Sequence, residues 1–343
     1  MNSAPAASTQ SADGADPATS LPTGGPPGPI PGYLLIADRG NNRMILVDGR
    51  KRILWSYPPP GHRPAMPFQS DDDAFFAPGW RSIITNEEYQ QTIQQIAFPT
   101  GRLLWHYGHV GVAGSTPGYL NTPDDAYLLS DGTRTVADIQ NCRVLFLSPS
   151  GKVIRQIGTT AACGHDPPSL LGGPNGDTPL PDGGTLVTEI HGSWVDRFDG
   201  HGRLRWSVHA PVGYPSDAQP LHGGRILLAD YSSPGQVVIM SKQGRVVWRY
   251  GPTSGPGELD HPSLALALPN GLIAVNDDYN DRVVLIDRSR RRIVWQYGHT
   301  NSPGAGPGYL DIPDGMDFLP ASVVARRPAM ERALRAPPRA RGG

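Results

Sequence analysis

The chain has 343 residues, of which 42 are glycine, 37 proline and two cysteine, and its formal net charge is −1. A chain of this length buries about three quarters of its unfolded surface, enough for a substantial core. The near-neutral charge and only three lysines (Lys51, Lys152, Lys242) argue against nucleic acid or an anionic membrane as partner, although arginine is abundant. No apolar run approaches the length of a membrane-spanning helix.

Residues 1–29 read MNSAPAASTQSADGADPATSLPTGGPPGP. They lack a basic start and an apolar core, so they are not a signal peptide as written. They are expected to form a disordered Ala/Ser/Thr/Pro tether of the kind that follows a removed export signal, which places the protein outside the cytoplasm.

From Tyr33 onward one pattern recurs: short β-branched and aromatic runs, two polar turns, and a strand ending on Trp-x-Tyr-Gly. The fullest copy is Leu272–Gly298, a three-strand meander. An Asp-x-x-Asn-x-Arg turn appears at Asp38–Arg43, Asp138–Arg143 and Asp277–Arg282, with degenerate copies at Asn86–Gln91, Glu189–Trp194 and Asp230–Gln236. The closing strand recurs at Trp55, Trp105, Arg155, Trp206, Trp248 and Trp295, a spacing of roughly 40–50 residues, the period of β-propeller blades. Glycine and proline fall mostly at the turns, as in a β-repeat protein.

A fourth strand precedes each meander, starting near Asp71, Pro123, Asn175, Ser216, Pro262 and Pro313. The first meander, Tyr33–Tyr57, has no such strand before it, and the last, Pro313–Phe318, has no meander after it. The two deficits match. The expected fold is therefore all-β: a single six-bladed propeller over residues 30–320, with four-stranded blades and the C-terminal strand closing the ring against the N-terminal blade. Residues 321–343, rich in Arg and Pro, are expected to be a disordered, solvated tail, with a short helix around Met330–Arg335 as the alternative.

The Asp-x-x-Asn-x-Arg turn, the apolar strand ending in Asp, the Gly turn and Trp-x-Tyr-Gly together resemble the NHL-repeat β-propellers over roughly residues 32–320. The Trp-x-Tyr strand ends are also similar to quinoprotein-type and arylsulfotransferase-type propellers. The resemblance implies the propeller fold. It also implies one of several roles: a protein- or RNA-binding platform, an extracytoplasmic sensor, or a lyase or hydrolase with a metal near the central channel. Fold alone does not choose among them.

The repeated Asp and Arg of the turns read as structural, because a site used once needs no copy in three blades. The Trp series reads as packing between blades. Seven histidines (His62, His109, His165, His191, His209, His261 and His299) fall on links and second-to-third-strand turns, which share one face, the top. Of these His261 is expected nearest the channel, followed by His165 and His191.

Carboxylates at the tops of the innermost strands, Asp71–Asp73, Asp124, Asp125, Asp177, Asp217, Asp260 and Asp314, should converge on the axis. Asp124, Asp125, Asp177, Asp217 and Asp314 with His165 form a candidate metal set, for Ca²⁺ if oxygen ligands dominate and Zn²⁺ if imidazole joins. The bland alternative is that they hydrate a polar mouth and cap turns. His191, Glu189, His261 and Asp260 form a candidate acid/base set, singled out because the fourth blade has Glu-Ile-His-Gly-Ser-Trp in place of the repeat's turn. Cys142 and Cys163 both fall on the top of blade three, where a disulfide and two isolated thiols are both open; a disulfide would agree with an oxidising compartment.

The resulting expectation is a monomeric ligand- or protein-binding platform using the top face, where Tyr119, Tyr214, Tyr231, Tyr279 and Tyr309 are available. The competing class is a metal-assisted enzyme at the channel mouth, of lyase/lactonase or sulfotransfer type. No motif names a substrate.

Overall fold

A computed structural model describes residues 28–335. The expected tether, apart from its last two residues, lies outside the described residues, as do residues 336–343 of the tail.

Blade one contains β1 (Gly32–Asp38), β2 (Arg43–Asp48) and β3 (Ile53–Tyr57). Blade two is β4 (Asp71–Phe76), β5 (Ser82–Glu87), β6 (Thr92–Ala97) and β7 (Leu103–Gly108). Blade three is β8 (Pro123–Leu128), β9 (Arg134–Asp138), β10 (Arg143–Leu147) and β11 (Val153–Ile157). Blade four is β12 (Pro174–Gly176), β13 (Thr185–Glu189), β14 (Trp194–Phe198) and β15 (Leu204–His209). Blade five is β16 (Pro215–Leu221), β17 (Arg225–Asp230), β18 (Gln236–Ser241) and β19 (Val246–Tyr250). Blade six is β20 (Ala265–Ala267), β21 (Leu272–Asp277), β22 (Arg282–Asp287) and β23 (Arg292–Gly298), and β24 (Pro313–Pro320) follows it.

Each sheet is a four-stranded antiparallel meander, and the first has the order β24-β1-β2-β3. The C-terminal strand thus supplies blade one with its inner strand, with Leu34 opposite Phe318 and Gly32 opposite Pro320. Six blades around one axis leave no free sheet edge between the chain's ends. The innermost strands of blades four and six are the shortest, three residues each. In blade six Ala-Leu-Ala pairs over Ala265–Ala267, starting there rather than at Pro262.

The blades pack through apolar faces. One core cluster runs through Ile36, Ile45, Leu145, Val283 and Met316, and others lie between successive sheets. The closing-strand tryptophans tie blades together as well as fill space. Trp55 Nε1 donates to Pro99 O, Trp248 to Arg288 O and Trp295 to Gly49 O, each a carbonyl in the outer turn of the next blade. Cys142 and Cys163 form a disulfide that fastens the link leaving blade three to that blade's own top turn.

The segment after Pro320 takes the helical alternative and extends it. Instead of a solvated tail, it folds into α1 (Ala321–Ala325) and α2 (Pro328–Arg335), the second covering the helix expected around Met330–Arg335. The reason lies in the spacing of its few apolar residues. Val323, Val324, Met330 and Leu334 fall on one side and are buried against Tyr33, Leu35 and Leu319 of blade one, while the arginines stay at the surface. Arg327 also reaches Gly79 O in blade two, so the helices clasp the closing seam. Leu334→Ala is therefore expected to cost about 2–5 kcal/mol of unfolding free energy by chemical denaturation. A disordered tail would give no measurable loss.

Candidate functional site

In every blade the last residue of the second strand is a carboxylate: Asp38, Glu87, Asp138, Glu189, Asp230 and Asp277. Each accepts a hydrogen bond from a backbone N–H of the link that enters the same blade. The donors are Asp311, Gln69, Asn121, Gly172, Tyr214 and Asp260, at 2.5–2.9 Å. In blades one, three and six the second oxygen meets Arg43, Arg143 or Arg282 at 2.6–2.8 Å. Those arginines also bind link carbonyls such as Ala305 O and Ser115 O. The repeat motif is thus a clamp that fixes where the chain dives toward the axis.

Beyond the clamp the innermost strands begin with a bulge. Between Pro123 and Ala126 the strand takes three residues where its partner takes two, and the same irregularity follows Asp71 and Pro215. In a regular strand neighbouring side chains alternate faces; a bulge re-aims one of them. As a result both Asp72 and Asp73, consecutive residues, line one central cavity.

That cavity, of about 160 Å³, opens at the top of the axis. It is lined by Asp72, Asp73, Asp124, Asp217, Asp314 and Glu88, with Tyr89, Tyr214 and Tyr231 on its walls. One cation serves this ring. Arg39 Nη1 lies 2.7 Å from Asp72 Oδ1 and 2.5 Å from Asp314 Oδ2, and its Nη2 bonds Glu88. Burial disfavours the guanidinium's charge, but Asp72, Asp314 and Glu88 outweigh it and hold the pKa well above the ordinary value.

The acids form two layers. Asp72, Asp124 and Asp314 belong to the upper. Asp73, Asp125 and Asp217 form the lower, with one oxygen from each within 4.8 Å of the others. Asp125 and Asp217 are buried, and their side-chain partners are each other, Asp73 and the Tyr127 hydroxyl, with no cationic side chain among them. Gly176 and Gly315 leave the room: a Cβ on Gly315 would sit 2.4 Å from Asp73 Oδ1, and one on Gly176 2.9 Å from Asp217 Oδ1. Burial and mutual repulsion raise these carboxyls. Asp314 is pushed up to about 8 by burial and then Asp72, and Asp125 to about 6 by burial. Asp124 is raised by burial, then by Asp72, Asp73 and Asp217.

Of the metal set expected from sequence, Asp124, Asp125, Asp217 and Asp314 do converge on the axis. Asp177 lies beside them rather than among them: its backbone N–H donates to Asp125 Oδ2 at 3.1 Å, and its own carboxyl is buried. Its strand carries Gly176 at the position where blades two, three and five carry Asp73, Asp125 and Asp217. His165 is not in this set. It sits against blade four, stacked on Trp194 with centroids 3.9 Å apart, and Nδ1 faces Glu189 Oε1 at 3.2 Å.

The acid/base set divides. His261 Nδ1 pairs with Asp260 Oδ1 at 2.7 Å on the mouth's rim, edge-on to Tyr231 and Tyr279. Glu189 pairs with His165, and His191 is exposed at the turn. No contact among the described residues joins the two pairs. His109 and His299 stack on Tyr119 and Tyr309 in their own links.

Arg39 and Glu88 went unrecognised in the sequence, yet a signal exists. The residue directly after each clamp carboxylate is Arg39, Glu88, Ile139, Ile190, Tyr231 or Asp278. Four of these, Arg39, Glu88, Ile139 and Tyr231, line the cavity. A larger hollow of about 940 Å³ lies at the opposite end of the axis, among Phe76, Trp80, Leu128, Leu180 and Phe318. It is mainly apolar, and its charged groups, Asp131, Arg155 and Asp317, form no cluster of acids like that of the mouth, so the top mouth is the better candidate.

No protein-family model and no curated protein matches the chain. Solved structures resemble it in fold. A Bacteroides caccae protein of unknown function is 20% identical, with a TM-score of 0.59, covering 83% of this chain and 98% of its own. A chain of a nidogen/laminin complex is 13% identical, with a TM-score of 0.58, covering 83% and 97%. A streptogramin B lyase is 16% identical, with a TM-score of 0.50, covering 71% and 72%. The class defined is the six-bladed β-propeller; at these identities the likeness extends to the fold alone.

Protons held by Asp314 and Asp125 make a testable link to stability. Unfolded, both groups release protons near pH ~4, whereas folded they hold them to about 8 and about 6. The folded state binds more protons across that window, so this contribution is full at low pH and lost as pH rises toward 8. Arg39→Gln removes the one opposing charge. It is expected to destabilise by about 3 kcal/mol at pH 8 and by less at pH 5, measured by denaturant titration at both values.

Proposed function

We propose that the protein is an extracytoplasmic binding propeller whose top-face mouth takes a positively charged group from its ligand. The observation that carries this reading is the imbalance at the mouth: five aspartates and Glu88 around Arg39 alone, walled by tyrosines. A cation entering there relieves repulsion already present among the carboxylates and gains aromatic faces. Arg39, held between Asp72 and Asp314 and under Tyr89 at 5.1 Å, demonstrates that the site accommodates a guanidinium. Tyr89 and Tyr279 are exposed on the rim, available to a larger partner. The Cys142–Cys163 disulfide supports an oxidising compartment, and no helix among the described residues is long and apolar enough to cross a membrane. Kinship with NHL-repeat propellers belongs to the same reading and rests on the repeated turn.

A second reading, a metal-assisted enzyme, is favoured by one observation: the lower aspartate layer, three buried carboxyls meeting one another with no cationic side chain between them. Three carboxylates on an axis suit a hard divalent cation such as Ca²⁺. Both classes have precedent on this fold, one similar structure being a nidogen/laminin complex and another a streptogramin B lyase.

Calorimetric titration with an oligo-arginine peptide, an oligo-glutamate peptide and Ca²⁺ separates the two. The binding reading predicts uptake of the basic peptide alone, weakened by salt and by Asp124→Asn at least about tenfold. The enzyme reading predicts Ca²⁺ uptake that is lost in Asp125→Asn. Basic and acidic peptides binding alike would refute the first, and indifference to Ca²⁺ the second.

A further inference from the structure

Blade four, like blade two, gives its clamp carboxylate no arginine, but it alone brings to it a histidine and, from the following strand, a second acid. Where Arg43, Arg143 and Arg282 neutralise Asp38, Asp138 and Asp277, the register position opposite Glu189 holds Trp194. Two positions further along, where the other blades carry Ile45, Gln94, Leu145, Val238 and Val284, blade four has a second acid, Asp196. Glu189 and Asp196 are both fully buried, and neither has a lysine or arginine in contact. Asp196 finds only the Glu189 carboxyl and the Ser207 hydroxyl as side-chain partners, neither of which brings a positive charge. The chain has thus removed a cation and added an anion at one interior point, a change that costs stability unless positive charge arrives from elsewhere.

From this geometry we infer that His165, Glu189 and Asp196 form a site for a Zn²⁺-like divalent transition-metal ion, separate from the axial mouth. One ligand atom of each lies within 4.8 Å of the others. His165 Nδ1 and Glu189 Oε1 are 3.2 Å apart, and two ligands about 2.0–2.1 Å from a tetrahedral zinc lie roughly 3.3 Å apart. The donors are held in place by neighbours, Asp196 by the Ser207 hydroxyl. His165 Nε2 faces Ser207 Oγ at 3.2 Å, so its N–H can donate to the hydroxyl while the Nδ1 lone pair points to the metal. The ring stacks on Trp194 at an interplanar angle of 6°. The Gly172 N–H occupies Glu189 Oε2 and leaves Oε1 free. One nitrogen and two carboxylates select a borderline ion over Ca²⁺, which prefers six or more oxygens, and three protein ligands leave an open fourth position. His165, 22% exposed, is the side from which the ion enters.

The rival occupant is a proton shared between Glu189 and Asp196, and the test separates them. The full chain is stripped with a chelator, dialysed against Zn²⁺ or Co²⁺ and analysed for metal content, alongside His165→Phe, Asp196→Asn and the axial variant Asp125→Asn. His165→Phe keeps a ring against Trp194, and thermal unfolding of each variant checks folding. Expected is one equivalent that weakens at least about tenfold in the two blade-four variants and survives in Asp125→Asn. The Co²⁺ form should show visible absorption that His165→Phe shifts or abolishes. Absence of bound metal in the wild-type chain, or metal content unchanged in both blade-four variants, would overturn the assignment without touching the reading of the mouth.

Discussion

The structure depends on a buried carboxylate receiving a backbone N–H. Six times, an Asp or Glu at the top of the second strand takes an amide of the incoming link, in five blades one or two residues before the innermost strand begins. That contact decides the radius at which each chain segment turns down the axis. Everything at the mouth inherits its position from the clamp: the bulge that follows it, the two layers of acids that the bulge exposes, and the residue beside the clamp that forms the rim. Burying six carboxylates costs heavily unless each is satisfied, and the blades meet that demand in different ways. Three use arginine, blade five uses Gln236 at 2.7 Å, and blades two and four use no strong cation.

Much of this architecture was legible in the sequence, because its signals are periodic. The clamp turn and the tryptophan strand recur at a fixed interval, and the missing first strand at one end matched the spare one at the other. What was not legible depends on details finer than the period. Asp124 and Asp125 could be placed at the axis, but their division into layers comes from a one-residue bulge, and bulges leave no reliable mark in composition. His165 was assigned to the axis because links reach the channel. The link that carries it instead folds back through the Cys163–Leu171 and Asp166–Leu170 bridges and lays the imidazole on Trp194. At the C-terminus only a helix around Met330–Arg335 is legible; α1 and the docking of both helices are obscured by arginines, whose number masks four apolar residues at the right spacing.

Arg39 shows a different limit. Residues between the fixed letters of a repeat look like filler, since they vary from blade to blade. Yet variation is what a site on the axis requires: identical residues from six blades would give a symmetric ring, with no direction and no discrimination. The column containing Arg39, Glu88, Ile139, Ile190, Tyr231 and Asp278 supplies a cation, two anions, an aromatic ring and two apolar side chains to the same circle. A basic residue facing acids there makes the mouth asymmetric: blade one brings Arg39 beside its own Asp314, whereas blades two, three and five bring acids without a cation.

The same reasoning separates the two places where this molecule departs from its own repeat. At the mouth, excess negative charge is shared among many groups, stays partly open to solvent and is partly answered by Arg39, so protonation and a mobile ligand can both relieve it. In blade four the excess is confined to Glu189 and Asp196, with His165 the nitrogen base within reach. A peptide-sized cation cannot follow into so closed a space; only a proton or a single ion is small enough. Size and burial therefore assign different chemistries to the two acidic clusters although both are built from the same residue types, the open one to recognition and the closed one to coordination.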